Sequence, residues 1–178
     1  MLSVSIHNKE FELYISKPEL EKIIDKIAQE MKVLKNSDPI FVIILNGSFF
    51  FAADLLKKLS FDPQIDFIKV KSYVGMESSG EMTQSLDLSC NIENRTIVLI
   101  EDIVDTGNTL HFLINHLKKK NPEKIYISSL LCKPDCYKYP HKIDFVGKNI
   151  PNKFVVGYGL DYEELGRTLP KIYKLKNS

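Results

Sequence analysis

One segment of this sequence indicates both a fold class and a chemistry: Val98-Leu99-Ile100-Glu101-Asp102-Ile103-Val104-Asp105-Thr106-Gly107-Asn108-Thr109. Its apolar start is typical of a buried strand, and it runs directly into two adjacent carboxylates. Adjacent residues of a strand point to opposite sides, so only one of the two acids need face a given ligand. The Asp-Thr-Gly-x-Thr end offers hydroxyls, a glycine and free backbone N–H groups at a helix start, a combination that cradles phosphate.

The same ending has a simpler interpretation, because Asp and Thr are common helix caps. Asp105, Thr106 and Gly107 would then do no more than start a helix. The preceding Glu101 and Asp102 weaken that alternative, since two acids at the end of a buried strand are costly unless they meet a cation, a hydroxyl or water. The segment is not a Walker A loop, because the Gly-Lys-Ser/Thr ending is absent.

The hydrophobic pattern predicts alternating strands and helices through the first 132 residues. A capping box at residues 16–19 opens a helix that continues to Met31. Further elements are predicted as strands at 40–45, 65–70, 97–100 and 125–132, helices at 49–59 and 110–117, a loop at 72–85, and short strands at 143–146, 154–156 and 171–175. This order predicts a single α/β domain over residues 1–178, with a parallel sheet and helices on both faces of a core at about residues 16–132.

Polar residues follow the predicted strands. In open parallel sheets, ligands bind beyond the carboxyl ends of the strands. The residues at those ends are Asn46-Gly47-Ser48, Lys71-Ser72-Tyr73, Glu101-Asp102 and Lys133. They are therefore the candidate site residues.

Composition excludes several classes of protein. The 178 residues are 44% hydrophobic and 26% charged, with a net charge of +1, which gives no sign of a nucleic-acid or membrane partner. The amino terminus lacks the features of a signal peptide, and no apolar run reaches membrane-spanning length. Three cysteines in a chain of this size are read as reduced thiols, which predicts a cytoplasmic protein.

Residues 98–109 resemble the phosphoribosyl pyrophosphate (PRPP) signature of the type I phosphoribosyltransferases, and most of the chain resembles their hypoxanthine-guanine branch. Leu45-Asn46-Gly47-Ser48 is similar to the pyrophosphate loop of that branch, and Lys71-Ser72-Tyr73 to the start of its flexible loop. Its base-binding hood is matched, in order, by Lys133, Asp144-Phe145-Val146-Gly147, Ile150-Pro151, Lys153-Phe154-Val155-Val156-Gly157-Tyr158, Leu160-Asp161-Tyr162 and Arg167. The resemblance implies a parallel-sheet core with a small C-terminal hood, at about residues 133–178 together with the N-terminal segment.

The activity implied by this resemblance is transfer of the 5-phosphoribosyl group from PRPP to hypoxanthine, and also guanine, in purine salvage. Glu101 and Asp102 would hold the ribose hydroxyls directly or through Mg²⁺, with Asp161 as a further Mg²⁺ ligand. The PRPP phosphates would be bound by Thr106, Gly107, Asn108, Thr109, Asn46, Gly47 and Arg167. Asp105 would act at purine N7 as general base or by stabilising the protonated base.

The resemblance also assigns residues to the purine. Lys133 would donate to the 6-oxygen, whereas a lone lysine after a strand is more commonly solvated. Phe154 would stack on the base, the alternative being a core phenylalanine, and the backbone around Val155 would read the base edge. Ser72 and Tyr73 would belong to a lid that excludes water, the alternative being an ordinary disordered hairpin.

One position departs from the family pattern. Many members carry lysine after the leucine of the pyrophosphate loop, often at a non-proline cis peptide bond, and this chain has Asn46 there. Asparagine can hydrogen-bond pyrophosphate but brings no charge. The departure affects the expected PRPP affinity and any contact that the lysine makes across a subunit interface.

Other functions remain open alternatives. A PRPP-binding regulator of the same fold would usually carry an added binding module or a basic face, which this chain lacks. A xanthine-preferring phosphoribosyltransferase is a second alternative, whereas Lys133 disfavours adenine and Phe154 disfavours pyrimidines. The resemblance alone implies a homodimer or homotetramer.

Overall fold

The computed structural model describes residues 2–72 and 82–176. Its strands are β1 (Ser3–Ile6), β2 (Lys9–Ile15), β3 (Ile40–Leu45), β4 (Gln64–Ser72), β5 (Met82–Leu86), β6 (Thr96–Val104), β7 (Lys124–Cys132), β8 (Phe145–Asn149), β9 (Val155–Val156) and β10 (Ile172–Leu175). The α-helices are α1 (Lys17–Glu30), α2 (Phe49–Lys58) and α3 (Asn108–Lys118), and two short 3₁₀ helices span Met31–Ser37 and Pro134–Cys136.

The main sheet has six strands in the order β5-β4-β3-β6-β7-β8. Five of them are parallel, in the order β4-β3-β6-β7-β8. The sixth, β5, pairs with β4 antiparallel at one edge. The central strand β3 is buried along nearly its whole length, as a continuous apolar run predicts for a strand covered on both faces.

The side chains of β3 alternate between two cores. Phe41 and Ile43 pack with the buried residues of α1 and α2, whereas Ile40, Val42 and Ile44 pack with those of α3. Helices therefore cover both faces of the sheet, and the predicted α/β class is confirmed. The carboxyl ends of the parallel strands remain available for a site.

A second, antiparallel sheet is formed by both ends of the chain. Its strand order is β1-β2-β10-β9, so the N-terminal hairpin and the C-terminal strands fold together. Ile6, Phe11, Val156 and Tyr173 form its own small core. Tyr158, just after β9, donates a hydrogen bond from its hydroxyl to Asp54 at 2.6 Å, which joins this sheet to helix α2 on one face of the main sheet.

Three predictions about the elements need correction. β8 pairs with β7, so the main sheet extends beyond the predicted core boundary at residue 132; the short connection without a helix concealed the parallel pairing. The predicted loop at 72–85 is wrong for residues 82–85, which belong to the edge strand β5. Ser16 occupies the N-cap of α1 but makes no side-chain capping bond, and Glu19 pairs with Lys148 at 2.6 Å, so the predicted capping box is not formed.

Within the part of the chain that the structure describes, none of the helices has both the length and the apolar character needed to cross a membrane.

Candidate active site

The carboxyl ends of three neighbouring strands bring most of the predicted site residues together. β3, β6 and β7 are adjacent in the sheet, so Asn46, Asp105 and Lys133 follow strands that lie side by side. β6 is longer than predicted, and Glu101 and Asp102 lie within its last half rather than after it. The ladder continues past them, with Val104 opposite Cys132, which keeps the two ends level.

The two adjacent acids lie where burial disfavours their charged forms. Burial raises the pKa of Asp102 to about 6, although the N–H of Ile103 donates to its Oδ1 at 2.8 Å. Burial and the neighbouring charge of Asp102 raise the pKa of Glu101 well above its usual value. Neither acid forms an ion pair with a lysine, arginine or histidine among the described residues. The pair is therefore ready to receive a cation or hydroxyl donors.

Asp102 faces the pyrophosphate loop, residues 45–48. A Cβ atom added to Gly47 would lie 1.8 Å from Asp102 Oδ2, so a side chain at this position would displace the Asp102 carboxylate. A Cβ on Gly159 would in turn lie 1.9 Å from the carbonyl oxygen of Gly47. The acidic strand, the pyrophosphate loop and the segment after β9 thus meet at one point.

Lys133 is buried and ion-paired. Its side chain is 7% exposed, and its Nζ lies 2.6 Å from Asp105 Oδ2 and 3.3 Å from Asn152 Oδ1. The alternative of a solvated lysine is therefore wrong. So is the interpretation of Asp105 as a helix cap, because Gly107 holds the N-cap position of α3 and Asp105 binds Lys133.

The predicted phosphate loop, residues 106–109, wraps the start of α3. Gly107 has a φ of +84°, and a Cβ there would lie 2.2 Å from the ring of Tyr137, so both conformation and space require glycine. A cavity of about 90 Å³ is lined by this loop together with Glu101 and Asp105. The acidic strand and the phosphate loop therefore share one concave surface.

The pyrophosphate loop has a cis peptide bond between Leu45 and Asn46. Lys69 on the adjacent strand β4 donates from its Nζ to Asn46 Oδ1 at 3.1 Å. Leu45 and Lys69 are register partners, which explains how Lys69 reaches the loop. Lys69 belongs to no motif recognised in the sequence, and its available signal is its position two residues before Lys71 on a predicted strand.

The aromatic candidate Phe154 is 42% exposed, so it is not a core phenylalanine. The ring of Tyr162 meets it edge-on, with 5.8 Å between centroids, and Phe11 lies behind it at 6.2 Å. Val155 is buried in β9, where its backbone pairs with Lys174. Phe154 is thus a supported ring with an accessible surface.

Arg167 and Asp161 are paired with each other. Arg167 Nη2 lies 2.7 Å from Asp161 Oδ1, and Arg167 Nη1 donates to the carbonyl oxygen of Gly159 at 2.8 Å. Asp161 lies close enough to Asp102 for its charge to raise the pKa of that carboxyl, but its own carboxylate is engaged by Arg167. The described residues contain no cluster of three or more His, Cys, Asp or Glu side chains suited to a metal ion.

The lid prediction concerns a part of the chain that the structure covers only at its edge. The backbone of Ser72 ends β4, and Tyr73 lies outside the described residues.

Two residues outside the predicted set contact predicted site residues: Asn152 contacts Lys133, and Tyr139 contacts Asn108. Neither contact has a local sequence signal, since 19 and 31 residues separate the partners.

Comparison with known proteins extends the similarity to nearly the whole chain. Residues 12–163 match the Phosphoribosyl transferase domain family. The hypoxanthine phosphoribosyltransferase of Buchnera aphidicola subsp. Schizaphis graminum is 41% identical over 165 residues, covering 90% of this chain and 93% of that protein. The hypoxanthine-guanine-xanthine phosphoribosyltransferase of Tritrichomonas foetus is 37% identical, covering 90% and 88%. The crystal structure of a hypoxanthine phosphoribosyltransferase from Staphylococcus aureus has a TM-score of 0.87 at 38% identity, covering 93% of this chain and 91% of that one.

Proposed function

Because the chain belongs to the phosphoribosyltransferase family, we propose that it transfers the 5-phosphoribosyl group of PRPP to hypoxanthine, and also to guanine. The products are IMP or GMP and pyrophosphate, which makes the enzyme a purine-salvage glycosyltransferase. The observation that carries the proposal is the ion pair between buried Lys133 and half-exposed Asp105, whose charged atoms lie 2.6 Å apart.

This pair complements one edge of a 6-oxopurine. The 6-oxygen and N7 are neighbours on that edge of the ring. An ammonium has only donors and suits the oxygen, whereas a carboxylate accepts and suits a protonated N7. Adenine would present an amino group to the ammonium, so the arrangement favours hypoxanthine and guanine. Phe154 would stack on the ring, and backbone groups around Val155 would bind the opposite edge.

In the proposed reaction the protein forms no covalent bond with the substrate and accepts only a proton. The bond from ribose C1 to the pyrophosphate oxygen breaks, the bond from C1 to purine N9 forms, and the proton of N7 passes to Asp105. Thr106, Gly107, Asn108 and Thr109 would hold the 5-phosphate and fix C1 beside the base. Ser72 and Tyr73 would help to exclude water from the oxocarbenium-like transition state.

The pyrophosphate would lie between Gly47, Asn46 and Arg167. Arg167 can bind phosphate oxygens with its planar fork once it exchanges its partner Asp161 for the ligand. We further propose that Lys69 supplies the positive charge that Asn46 does not bring, since its ammonium already lies 3.1 Å from the Asn46 side chain. This arrangement would let the uncharged loop bind a strongly anionic leaving group.

Magnesium fits the acidic strand. Glu101 and Asp102 offer hard oxygen ligands, and burial raises the pKa of both carboxyl groups, so a bound cation would stabilise their charged forms. Mg²⁺ usually keeps several waters and substrate oxygens, so it does not require the closed cluster of ligands that is absent from the described residues. Glu101 and Asp102 would hold the ion with the ribose hydroxyls, and Asp161 would contact it through water. When bound, the ion neutralises charge on the leaving pyrophosphate.

The proposed compartment and partners of the enzyme rest on its cysteines and its net charge. Cys90, Cys132 and Cys136 are free thiols, which supports a cytosolic enzyme. A net charge of +1 supports small-molecule substrates rather than nucleic acid or a membrane as partners. The proposed assembly is a homodimer or homotetramer, and the proposed organisation is one domain over residues 1–178.

A direct test is to incubate the purified protein with PRPP, hypoxanthine and Mg²⁺ and to quantify IMP and pyrophosphate. We expect equal amounts of both products, and loss of product when Mg²⁺ is removed by a chelator. PRPP binding measured by calorimetry without turnover of any purine would instead favour the PRPP-binding regulator. Turnover of xanthine well above hypoxanthine would favour the xanthine-preferring alternative.

A further inference from the structure

A second group of side chains packs against the phosphate loop, residues 106–109. We call Tyr137, Tyr139, His111 and His141 the aromatic cluster. The hydroxyl of Tyr139 donates to Asn108 Oδ1 at 2.9 Å, although 31 residues separate the two in sequence. Asn108 is the first residue of α3 and a member of the phosphate loop. The cluster therefore contacts the proposed 5-phosphate site through one defined hydrogen bond.

The ring of Tyr139 is held in a fixed orientation. It stacks on His111 with 4.2 Å between centroids and 10° between planes. His111 itself is fixed at both nitrogens, with Nδ1 3.0 Å from His141 Nε2 and Nε2 3.0 Å from Asn115 Nδ2. Since His111 lies on α3, the hydroxyl of Tyr139 is aligned by the same helix whose first turn it contacts.

Two other contacts tie the cluster to the phosphate loop. The ring of Tyr137 fills the space in which a side chain at Gly107 would lie. The backbone N–H of Lys138 donates to the carbonyl oxygen of Thr106 at 3.2 Å. Residues 137–139 thus contact three consecutive residues of the loop, and only Tyr139 contacts a side chain that can bind phosphate.

We propose that Tyr139 is a positioning residue for the 5-phosphate of PRPP and acts through Asn108. An asparagine side chain can present either its oxygen or its NH₂ group, and only the NH₂ group suits an anion. The hydroxyl of Tyr139 occupies the oxygen of Asn108 and thereby leaves the NH₂ group for the phosphate. This inference rests on the proposed function and adds a residue that determines PRPP affinity.

The contact has little reason to exist for stability alone. Asn108 is exposed, and water can replace a hydrogen bond at an exposed site with little change in folding free energy. A bound anion, in contrast, requires the NH₂ group of the Asn108 amide rather than its oxygen. We therefore expect the effect of Tyr139 on PRPP binding rather than on unfolding.

The test compares two tyrosines of the same cluster. Tyr139→Phe removes the bond to Asn108 but keeps the ring that stacks on His111. Tyr137→Phe is the matched control, since its hydroxyl donates at the same distance, 2.9 Å, to the carbonyl oxygen of His141 and not to the phosphate loop. We expect Tyr139→Phe to raise both the KM and the calorimetric Kd for PRPP about 3- to 10-fold, the effect of one hydrogen bond.

Comparing PRPP affinity with the other kinetic constants and with stability distinguishes a positioning role from a loss of folding. In Tyr139→Phe, kcat, the KM for hypoxanthine and the melting temperature should stay near wild-type values, and Tyr137→Phe should leave the KM for PRPP within about twofold. In an Asn108→Ala background, Tyr139→Phe should have no further effect on PRPP affinity. An unchanged PRPP affinity in Tyr139→Phe, or equal losses in both tyrosine variants, would overturn the inference.

The calorimetric measurement keeps this test independent of catalysis. If the wild type binds PRPP but converts no purine, the proposed function fails while the comparison of Kd values still decides the role of Tyr139. If the wild type does not bind PRPP at all, both the proposed function and this inference are wrong.

Discussion

At the scale of single residues, the pairing of Lys133 with Asp105 determines what each can do. A buried ammonium needs a partner, and Asp105 provides one at 2.6 Å. Family resemblance in the sequence assigned both residues to the purine. It did not predict their contact, because 28 residues separate them and the contact depends on β6 and β7 ending side by side.

Asp105→Asn tests whether this carboxylate serves catalysis. We expect kcat for IMP formation to fall by at least about 100-fold, since the variant cannot accept the N7 proton. Asp135→Asn, at an exposed carboxylate two residues from Lys133, is the control and should retain full activity. Steady-state kinetics with saturating PRPP measure both. An Asp105→Asn enzyme with wild-type kcat would remove Asp105 from the mechanism.

Asp102 provides a prediction about stability and pH. Burial raises its pKa from 3.8 to about 6, so the folded protein holds this proton more tightly than the unfolded chain does. Its contribution to stability is therefore complete below pH 3.8 and is lost as the pH rises through about 6. At pH 7.5 without Mg²⁺, Asp102→Asn should raise the free energy of unfolding by about 1 to 3 kcal/mol.

The same variant should lose activity, because an amide is a poor Mg²⁺ ligand. Urea unfolding curves of wild type and variant, taken at pH 4 and pH 7.5, measure the stability difference. A variant that is less stable than wild type at pH 7.5 would show that the ionised Asp102 is already compensated in the folded protein.

At the scale of elements, the register of β3 and β4 explains a residue that the sequence analysis overlooked. The loss of a lysine at Asn46 was visible in the sequence, whereas the approach of Lys69 was not. Parallel pairing places Leu45 opposite Lys69, and that register cannot be read from either strand alone. Two edge strands were missed for a related reason: β1 and β5 are short, with 4 and 5 residues, and their pairing with β2 and β4 rather than their composition makes them strands.

Lys69→Met tests the proposed source of positive charge. It keeps the length of the side chain and removes the ammonium, so we expect the KM for PRPP to rise about tenfold, the loss of one charged hydrogen bond. The KM for hypoxanthine should not change. Lys57→Met, at an exposed lysine of α2, is the matched control. Equal PRPP affinity in the two variants would exclude Lys69 from pyrophosphate binding.

At the scale of the whole molecule, the two sheets form one site because both ends of the chain fold back beside the main sheet. Alternating strands and helices predicted the parallel strands β3, β4, β6 and β7 of the main sheet correctly, since each carries its own apolar pattern. The small sheet joins residues more than 150 positions apart, such as Phe11 and Leu175, and local periodicity contains no information about such pairs.

Tyr158→Phe tests the contact between the small sheet and helix α2 of the main layer. The Tyr158 hydroxyl is buried against Asp54, and its removal leaves that carboxylate without one of its partners. We expect the free energy of unfolding to fall by about 1 to 3 kcal/mol in urea titrations. Tyr14→Phe, on β2, is the matched control. Its free energy of unfolding should stay near the wild-type value, because the Tyr14 hydroxyl has no hydrogen bond among the described residues. An unaltered unfolding curve for Tyr158→Phe would show that other contacts hold the sheets together.

The central claim is that a buried Lys133 selects a 6-oxopurine for phosphoribosyl transfer. The most direct measurement is nucleotide formation from PRPP and Mg²⁺ with hypoxanthine, guanine and adenine offered separately. The structure predicts kcat/KM for hypoxanthine and guanine at least about 100-fold above that for adenine, because the ammonium cannot accept from an amino group. Equal use of adenine and hypoxanthine would contradict the account.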